Sequence, residues 1–258
     1  LSYVDNHAAK SGTPTMGGLG FVLAEVICSF LFYNKNSTLA TMVGLLTLGF
    51  GLIGFIDDFI KVFYKQNKGL SPIQKTVFQI IVAIIVSFFV YYSPYVGDKL
   101  YIPFTMKEIS LGIFAVPFYV FVFVAFTNAV NLTDGLDGLA GKTSVAYTVF
   151  FASVISVIIY RFGVAGEVRE EYFNLLVFCM ALIGALCSFL LFNSYPAAVF
   201  MGDTGALALG GALAGLAVMS KLSLIAPIIG IMYVVSCVSD NIQVLHFKRT
   251  RHRVFLMA

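Results

Sequence analysis

The chain has 258 residues, 59% of them hydrophobic and only 11% charged, with a mean hydropathy of +0.93 and a formal charge of +3. A soluble domain carries about a quarter charged residues, so this balance excludes an ordinary water-soluble protein and points to an integral membrane protein. So small a positive charge gives no footing for nucleic acid, and apolar runs that are continuous rather than alternating argue against a β-barrel.

A spanning helix needs about 20 mostly apolar residues. In chain order the candidate runs are 17–33, 39–56, 73–92, 110–127, 143–160, 173–192, 204–219 and 222–238. The predicted fold is therefore all-α and polytopic, a single membrane-embedded domain over residues 1–258, without internal repeat or linker. Residues 1–12 are polar and read as a loop of a truncated N-terminus. Residues 93–107 carry a Gly-Asp turn signal and partial alternation, which fits a small hairpin. Cys28, Cys179, Cys187 and Cys237 all fall inside spans without a CxxC spacing, and read as packing residues.

With eight spans both chain ends face one side, together with segments 55–72, 128–142 and 193–203. That side holds Lys10, Lys61, Lys65, Lys68, Lys75, Lys142, Lys248, Arg249, Arg251 and Arg253. The other holds Lys35, Lys99, Lys107, Arg161, Arg169 and Lys221. The positive-inside rule makes the first side cytoplasmic.

The same side receives the polar motifs. Asp57 and Asp58 close the second run in GFIDDFIK, about 100° apart around a helix, so they face different partners; Lys61 lies within reach of either. Asp134 and Asp137, each followed by Gly, lie in NAVNLTDGLDGLAG with Asn128, Asn131 and Thr133. This segment offers polar side chains and backbone N–H groups to a phosphate or nucleotide, or caps helices and forms turns. It is not a Walker loop, because Leu136 stands where that motif needs Gly, nor an EF-hand, because Val145 stands where that loop needs Glu. Asp203 opens the seventh run in NSYPAAVFMGDTG, where Phe200 suits either stacking on a base or anchoring at the interface. Lys10, Thr13, Thr15 and two glycines precede the first run and suit phosphate contact, or a turn. Hard oxygen donors without a Cys or His cluster point to Mg²⁺ or Mn²⁺ and to phosphoryl chemistry at a membrane surface. Two acids stay unassigned: Asp240, near the end of the last run, and Glu25, deep in the first, where function competes with a hydrogen-bonded packing role.

GTPTMGG, IDDFIK, NAVNLTDGLDGLAG and NSYPAAVFMGDTGALALGGALA closely resemble, over nearly the whole chain, the phospho-N-acetylmuramoyl-pentapeptide transferases, a branch of the polyprenyl-phosphate N-acetylhexosamine-1-phosphate transferases. The resemblance implies transfer of phospho-MurNAc-pentapeptide from UDP-MurNAc-pentapeptide to undecaprenyl phosphate with Mg²⁺, giving lipid I and UMP. It implies catalytic roles for Asp57, Asp58 and Asp203, with Asp203 the metal ligand and Asp57 handling the acceptor phosphate. It further implies substrate contacts from Lys10, Thr15, Lys61, Lys75, Asn128, Asn131, Asp134, Asp137, Asn193 and Phe200, the last on uracil. Ten spans in the full-length protein, a homodimer in the bacterial inner membrane, and inhibition by nucleoside antibiotics are also implied. This chain stops at Met257-Ala258, before the family's His-rich loop and last span, and lacks a span before Leu1. A relative using UDP-N-acetylglucosamine is the nearest competing reading. A divalent-cation transporter is the competitor from another class, but it wants acids at mid-membrane rather than at one face.

Overall fold

The computed structural model describes residues 13–33, 37–66, 68–103, 105, 107–161 and 164–250. Its helices are α1 (Gly18–Phe32), α2 (Thr38–Phe63), α3 (Pro72–Tyr92), α4 (Ala115–Thr133), α5 (Leu139–Arg161), α6 (Gly166–Asn193), α7 (Gly202–Met219), α8 (Ala226–Ile229) and α9 (Ile231–Thr250). A short antiparallel hairpin, β1 (Lys99–Tyr101) with β2 (Glu108–Ser110), sets Leu100 opposite Ile109 between α3 and α4, where turn chemistry predicts one. A 3₁₀ turn (Gly112–Phe114) leads into α4.

Among the described residues, six helical segments are long and apolar enough to cross a membrane: α2, α3, the 3₁₀ turn with α4, α5, α6 and α7. The two remaining apolar runs behave differently. α1 holds 15 residues, about 22 Å at 1.5 Å per residue, which is short of the ~30 Å hydrocarbon core. The run 222–238 is not one helix. Pro227 has no N–H to continue an incoming helix and instead starts the single turn of α8; Gly230 ends it. α9 then carries on past the apolar run into Asp240, His246, Lys248 and Arg249, leaving it too polar to count as a span.

α7 is the hub. Its sequence alternates Gly and Ala with Leu, and it packs against α1, α2, α4 and α5 with nearly all of its length buried. With lipid as solvent there is little hydrophobic drive between helices, so close backbone approach must supply the contact. At Gly54 of α2 an added Cβ would sit 2.1 Å from the Asp203 carbonyl oxygen. Helix ends are fastened by side chains from neighbours. Glu171 of α6 accepts from the Thr38 and Leu39 amides at 2.8 Å each and from Ser37 Oγ at 3.1 Å, fixing the start of α2. The start of α3 uses its own capping box, Ser71 with Gln74, and Pro72 in its first turn.

This packing makes Gly54 intolerant of bulk. Gly54→Val should lower stability in detergent by about 1–3 kcal/mol, whereas Gly44→Ala, with nothing within 4 Å of the new Cβ, should melt like the wild type; thermal unfolding of the pair checks it.

Candidate active site

α2 runs on past Ile56, so Asp57 and Asp58 lie inside a helix rather than at its end, only 1% and 3% exposed. Buried carboxylates need donors, and each finds them off its own helix. Asp58 Oδ2 accepts from the Thr204 amide at 2.8 Å and from Thr204 Oγ1 at 2.7 Å, capping α7, which has no side-chain cap of its own. Gly202 makes this possible: its φ of +74° suits glycine, and a Cβ there would lie 2.7 Å from Asp58 Oδ2. Asp57 Oδ1 accepts from the Leu70 amide at 2.7 Å, tying the α2–α3 loop to the helix.

Two lysines bridge the remaining oxygens. Lys61 Nζ lies 2.5 Å from Asp57 Oδ2, 2.7 Å from Asp203 Oδ2 and 3.9 Å from Asp58 Oδ1. Lys75 Nζ, from the first turns of α3, lies 2.8 Å from Asp203 Oδ2 and 3.4 Å from Asp57 Oδ2. Asp57, Asp58 and Asp203 each offer an oxygen, all within 4.8 Å of one another. Three carboxylates against two ammonium groups leave the cluster electronegative. Asp57 Oδ2 is buried and its contact with Lys61 is an ion pair without an aligned hydrogen bond. Hard oxygens, excess negative charge and a buried carboxylate oxygen held by ion pairs alone fit a divalent cation.

Above the cluster opens a cavity of about 390 Å³ lined by Thr15, Asp58, Lys61, Asn131, Asp134 and Asp203, among others. Asp134, the residue that ends α4, is held up at about 7 by burial and then by the charges of Asp203, Asp58 and Asp137. A larger cavity of about 940 Å³ is an apolar groove between α1 and α6, lined by residues such as Phe21, Met180 and Phe189 and by no acid; it is not where the chemistry sits.

The sequence-predicted residues divide into two groups. Thr15, Asp57, Asp58, Lys61, Lys75, Asn131, Asp134 and Asp203 meet in the cluster or its cavity. Four others serve as fasteners around it. Asn128 exchanges amide hydrogen bonds with the fully buried Gln79, its Nδ2 reaching Gln79 Oε1 at 2.8 Å, and so joins α4 to α3. Asn193 Oδ1 accepts from the Gly138 amide at 3.2 Å while its Nδ2 donates to the Val199 carbonyl at 2.9 Å. Asp137 accepts from the Ala197 amide at 3.1 Å. Phe200 binds through its backbone, its N–H to Pro14 O and its carbonyl from Gly17 N–H, and does not line the acidic cavity. Lys10 lies outside the described residues. Sequence reasoning missed Gln79, whose only signal is an amide inside an apolar run, and the Thr204 cap contact, which has none.

The glycosyl transferase family 4 model matches residues 39–221, and a phospho-N-acetylmuramoyl-pentapeptide-transferase signature matches residues 10–22. The phospho-N-acetylmuramoyl-pentapeptide-transferase of Clostridium perfringens (strain 13 / Type A) is 44% identical over 254 residues, 98% of this chain and 75% of that protein. Those of Thermoanaerobacter sp. (strain X514) and Geobacillus sp. (strain WCH70) are 46% and 43% identical, again over 98% of this chain and 75% of theirs. The match over residues 39–221, in a chain whose helices can cross a membrane, makes it a membrane-embedded glycosyl transferase of family 4. Within that class, the chain belongs to the phospho-N-acetylmuramoyl-pentapeptide-transferase family.

Asp134 yields a pH prediction. Folding raises its carboxyl from the usual 3.8 to about 7, so the folded protein holds the extra proton and loses stability as pH rises across that window. In EDTA, Asp134→Asn should therefore raise the melting temperature above pH 7, and the gain should shrink steadily on acidification toward pH 4; a gain independent of pH would refute the assignment.

Proposed function

We propose that the chain transfers phospho-MurNAc-pentapeptide from UDP-MurNAc-pentapeptide to undecaprenyl phosphate, forming lipid I and UMP at the cytoplasmic face of a bacterial inner membrane. The observation that carries this reading is the lysine-bridged cluster of Asp57, Asp58 and Asp203 at the cavity floor, in a chain of this family.

An oxygen of the acceptor phosphate attacks the sugar-bearing phosphorus of the donor. The bond from that phosphorus to the oxygen shared with the uridine-bearing phosphate breaks, and UMP leaves with the electron pair. One phosphoanhydride forms as another is lost, so the reaction is readily reversible. Asp203, with Asp57 and Asp58 beside it, would hold Mg²⁺, which would supply charge neutralisation on the diphosphate. The chain's own groups do the rest by position. Lys61 and Lys75, on facing helices, hold ammonium groups where several phosphate charges collect. Asp57, oriented by the Leu70 amide, receives the acceptor phosphate and takes its proton when it arrives protonated. Asp58 keeps the start of α7, and with it Asp203, in register. Thr15, Asn131 and Asp134 line the cavity toward the sugar and nucleotide. Asn128 braces α4 against α3, Asp137, Asn193 and Phe200 brace the segments beside the cavity, and substrate contacts from these four belong to the same reading. A homodimer, and competition by nucleoside antibiotics for the uridine end of the site, belong to the same reading.

The test is UMP release in detergent from UDP-MurNAc-pentapeptide, polyprenyl phosphate and Mg²⁺. Release should require the lipid and should fall at least about a hundredfold in Asp203→Asn, as expected for loss of preorganised charge at a transition state. Turnover of UDP-N-acetylglucosamine in its place would move the chain to the sibling activity.

A further inference from the structure

The helix that carries Lys75 has little to hold its working end in place. α3 is the least buried of the six membrane-capable helices among the described residues. In its first two turns, residues 72–79, every side chain is exposed except those of Lys75 and Gln79. Ile73, Val77 and Phe78 face outward at 76%, 48% and 44% exposure. Gln74 and Thr76 bond within the start of α3 itself. Apolar packing therefore does not fix how this end of α3 is turned about its axis. Yet Lys75 Nζ has to reach Asp203 Oδ2 at 2.8 Å and Asp57 Oδ2 at 3.4 Å. A lysine stem is long and flexible, so its ammonium is placed by the backbone that aims it.

Gln79 supplies the missing constraint. It stands one turn deeper than Lys75 on the same face of α3 and is fully buried. Asn128 Nδ2 on α4 donates to Gln79 Oε1 at 2.8 Å, and Gln79 Nε2 donates to Asn128 Oδ1 at 3.5 Å. Asn128 Nδ2 also donates to the Val124 carbonyl at 2.8 Å, which fixes the asparagine on its own helix. An unpaired amide inside an apolar bundle is costly. Two amides that each give and accept are satisfied together in one rotation and one axial register of their helices, a demand that apolar contact does not make.

The same pair reaches both walls of the site. Lys75 lies one turn nearer the acid cluster on α3. Asn131, which lines the acidic cavity, lies one turn nearer it on α4, three residues after Asn128. The amide pair is thus a strut beneath the cavity, and it sets the spacing between the ammonium and the opposite wall.

We propose that Gln79 is a positioning residue: through Asn128 it sets the rotation of α3, and so holds Lys75 against Asp203 and Asp57 at a fixed distance from Asn131. That this ammonium meets phosphates rests on the transferase reading, whereas its placement does not.

The direct readout is acetylation of Lys75 by acetic anhydride in the intact protein in detergent, without substrate. Peptide mass spectrometry follows the rate, with Lys61 as the internal comparison. Gln79→Leu should speed Lys75 acetylation about threefold to tenfold, the range set by the strength of interhelical hydrogen bonds in membranes, and should not speed that of Lys61. The exchanged pair, Gln79→Asn with Asn128→Gln, keeps both carboxamides and their combined length, and should return Lys75 to near the wild-type rate. UMP release should fall and recover in the same order. Should Gln79→Leu fail to fold, Gln79→Leu with Asn128→Leu removes both amides without leaving one unpaired, and should show the same faster labelling. Wild-type labelling of Lys75 in a folded variant without the amide pair would overturn the proposal, as would an exchanged pair that labels like Gln79→Leu. The predicted labelling in a protein that releases no UMP would uphold the positioning and count against the transferase reading alone.

Discussion

Everything at the working end of this molecule depends on how three carboxylates, two buried and one half-buried, are held together at the edge of an apolar bundle. Asp57, Asp58 and Asp203 come from two helices, and each is costly to bury alone. The α2–α7 crossing resolves the cost by making each acid answer a structural need. Asp58 satisfies the free amide at the start of α7, and Asp57 satisfies the Leu70 amide in the loop leading to α3. That loop leads to the helix that brings Lys75 to Asp203, while Lys61 rises from α2 one turn beyond Asp57. The groups that fold the site are therefore the groups that give it its charge, and the two functions cannot be separated by mutation of Asp58.

Close approach of α2 and α7 is the precondition. The distance between Gly54 and the Asp203 carbonyl leaves no room for a side chain, and Gly202 allows the turn that aims the Thr204 amide at Asp58. Leucine and alanine along the rest of α7 fill the centre of the bundle, so the helix carrying Asp203 is also the most deeply buried of the membrane-capable helices among the described residues. A rigid, partly dehydrated platform of this kind suits a reaction whose catalysis is chiefly placement and charge stabilisation.

Much of this was readable from the residues, for definable reasons. Apolar runs 39–56, 73–92, 143–160, 173–192 and 204–219 became helices because nothing in them interrupts the helical ladder, while 110–127 opens on the end of β2 and the 3₁₀ turn before α4 begins at Ala115. Asp57, Asp58 and Asp203 were legible because ionised groups beside apolar runs demand an explanation. The run 222–238 misled because hydropathy does not weigh one proline and one glycine, which divide it between α8 and α9. Asn128, Asp137 and Asn193 were legible as polar residues but not as fasteners, since their partners Gln79, Ala197 and Gly138 lie in other segments and share no local pattern with them. Phe200 reads in sequence as an aromatic for stacking or for anchoring at the interface, and its backbone has a further job that no sequence pattern shows, seaming the start of α1 to the segment before α7.

The central claim is that the α2–α7 carboxylates hold the metal that meets the donor's diphosphate. The most direct measurement is pulsed electron paramagnetic resonance on protein loaded with one Mn²⁺ and UDP-MurNAc-pentapeptide, read for coupling to phosphorus. The account predicts a phosphorus coupling typical of direct phosphate ligation in the wild type, and loss of both the bound Mn²⁺ signal and the coupling in Asp203→Asn. Tight Mn²⁺ binding that persists in Asp203→Asn, or a bound ion without phosphorus coupling in the wild type, would contradict it.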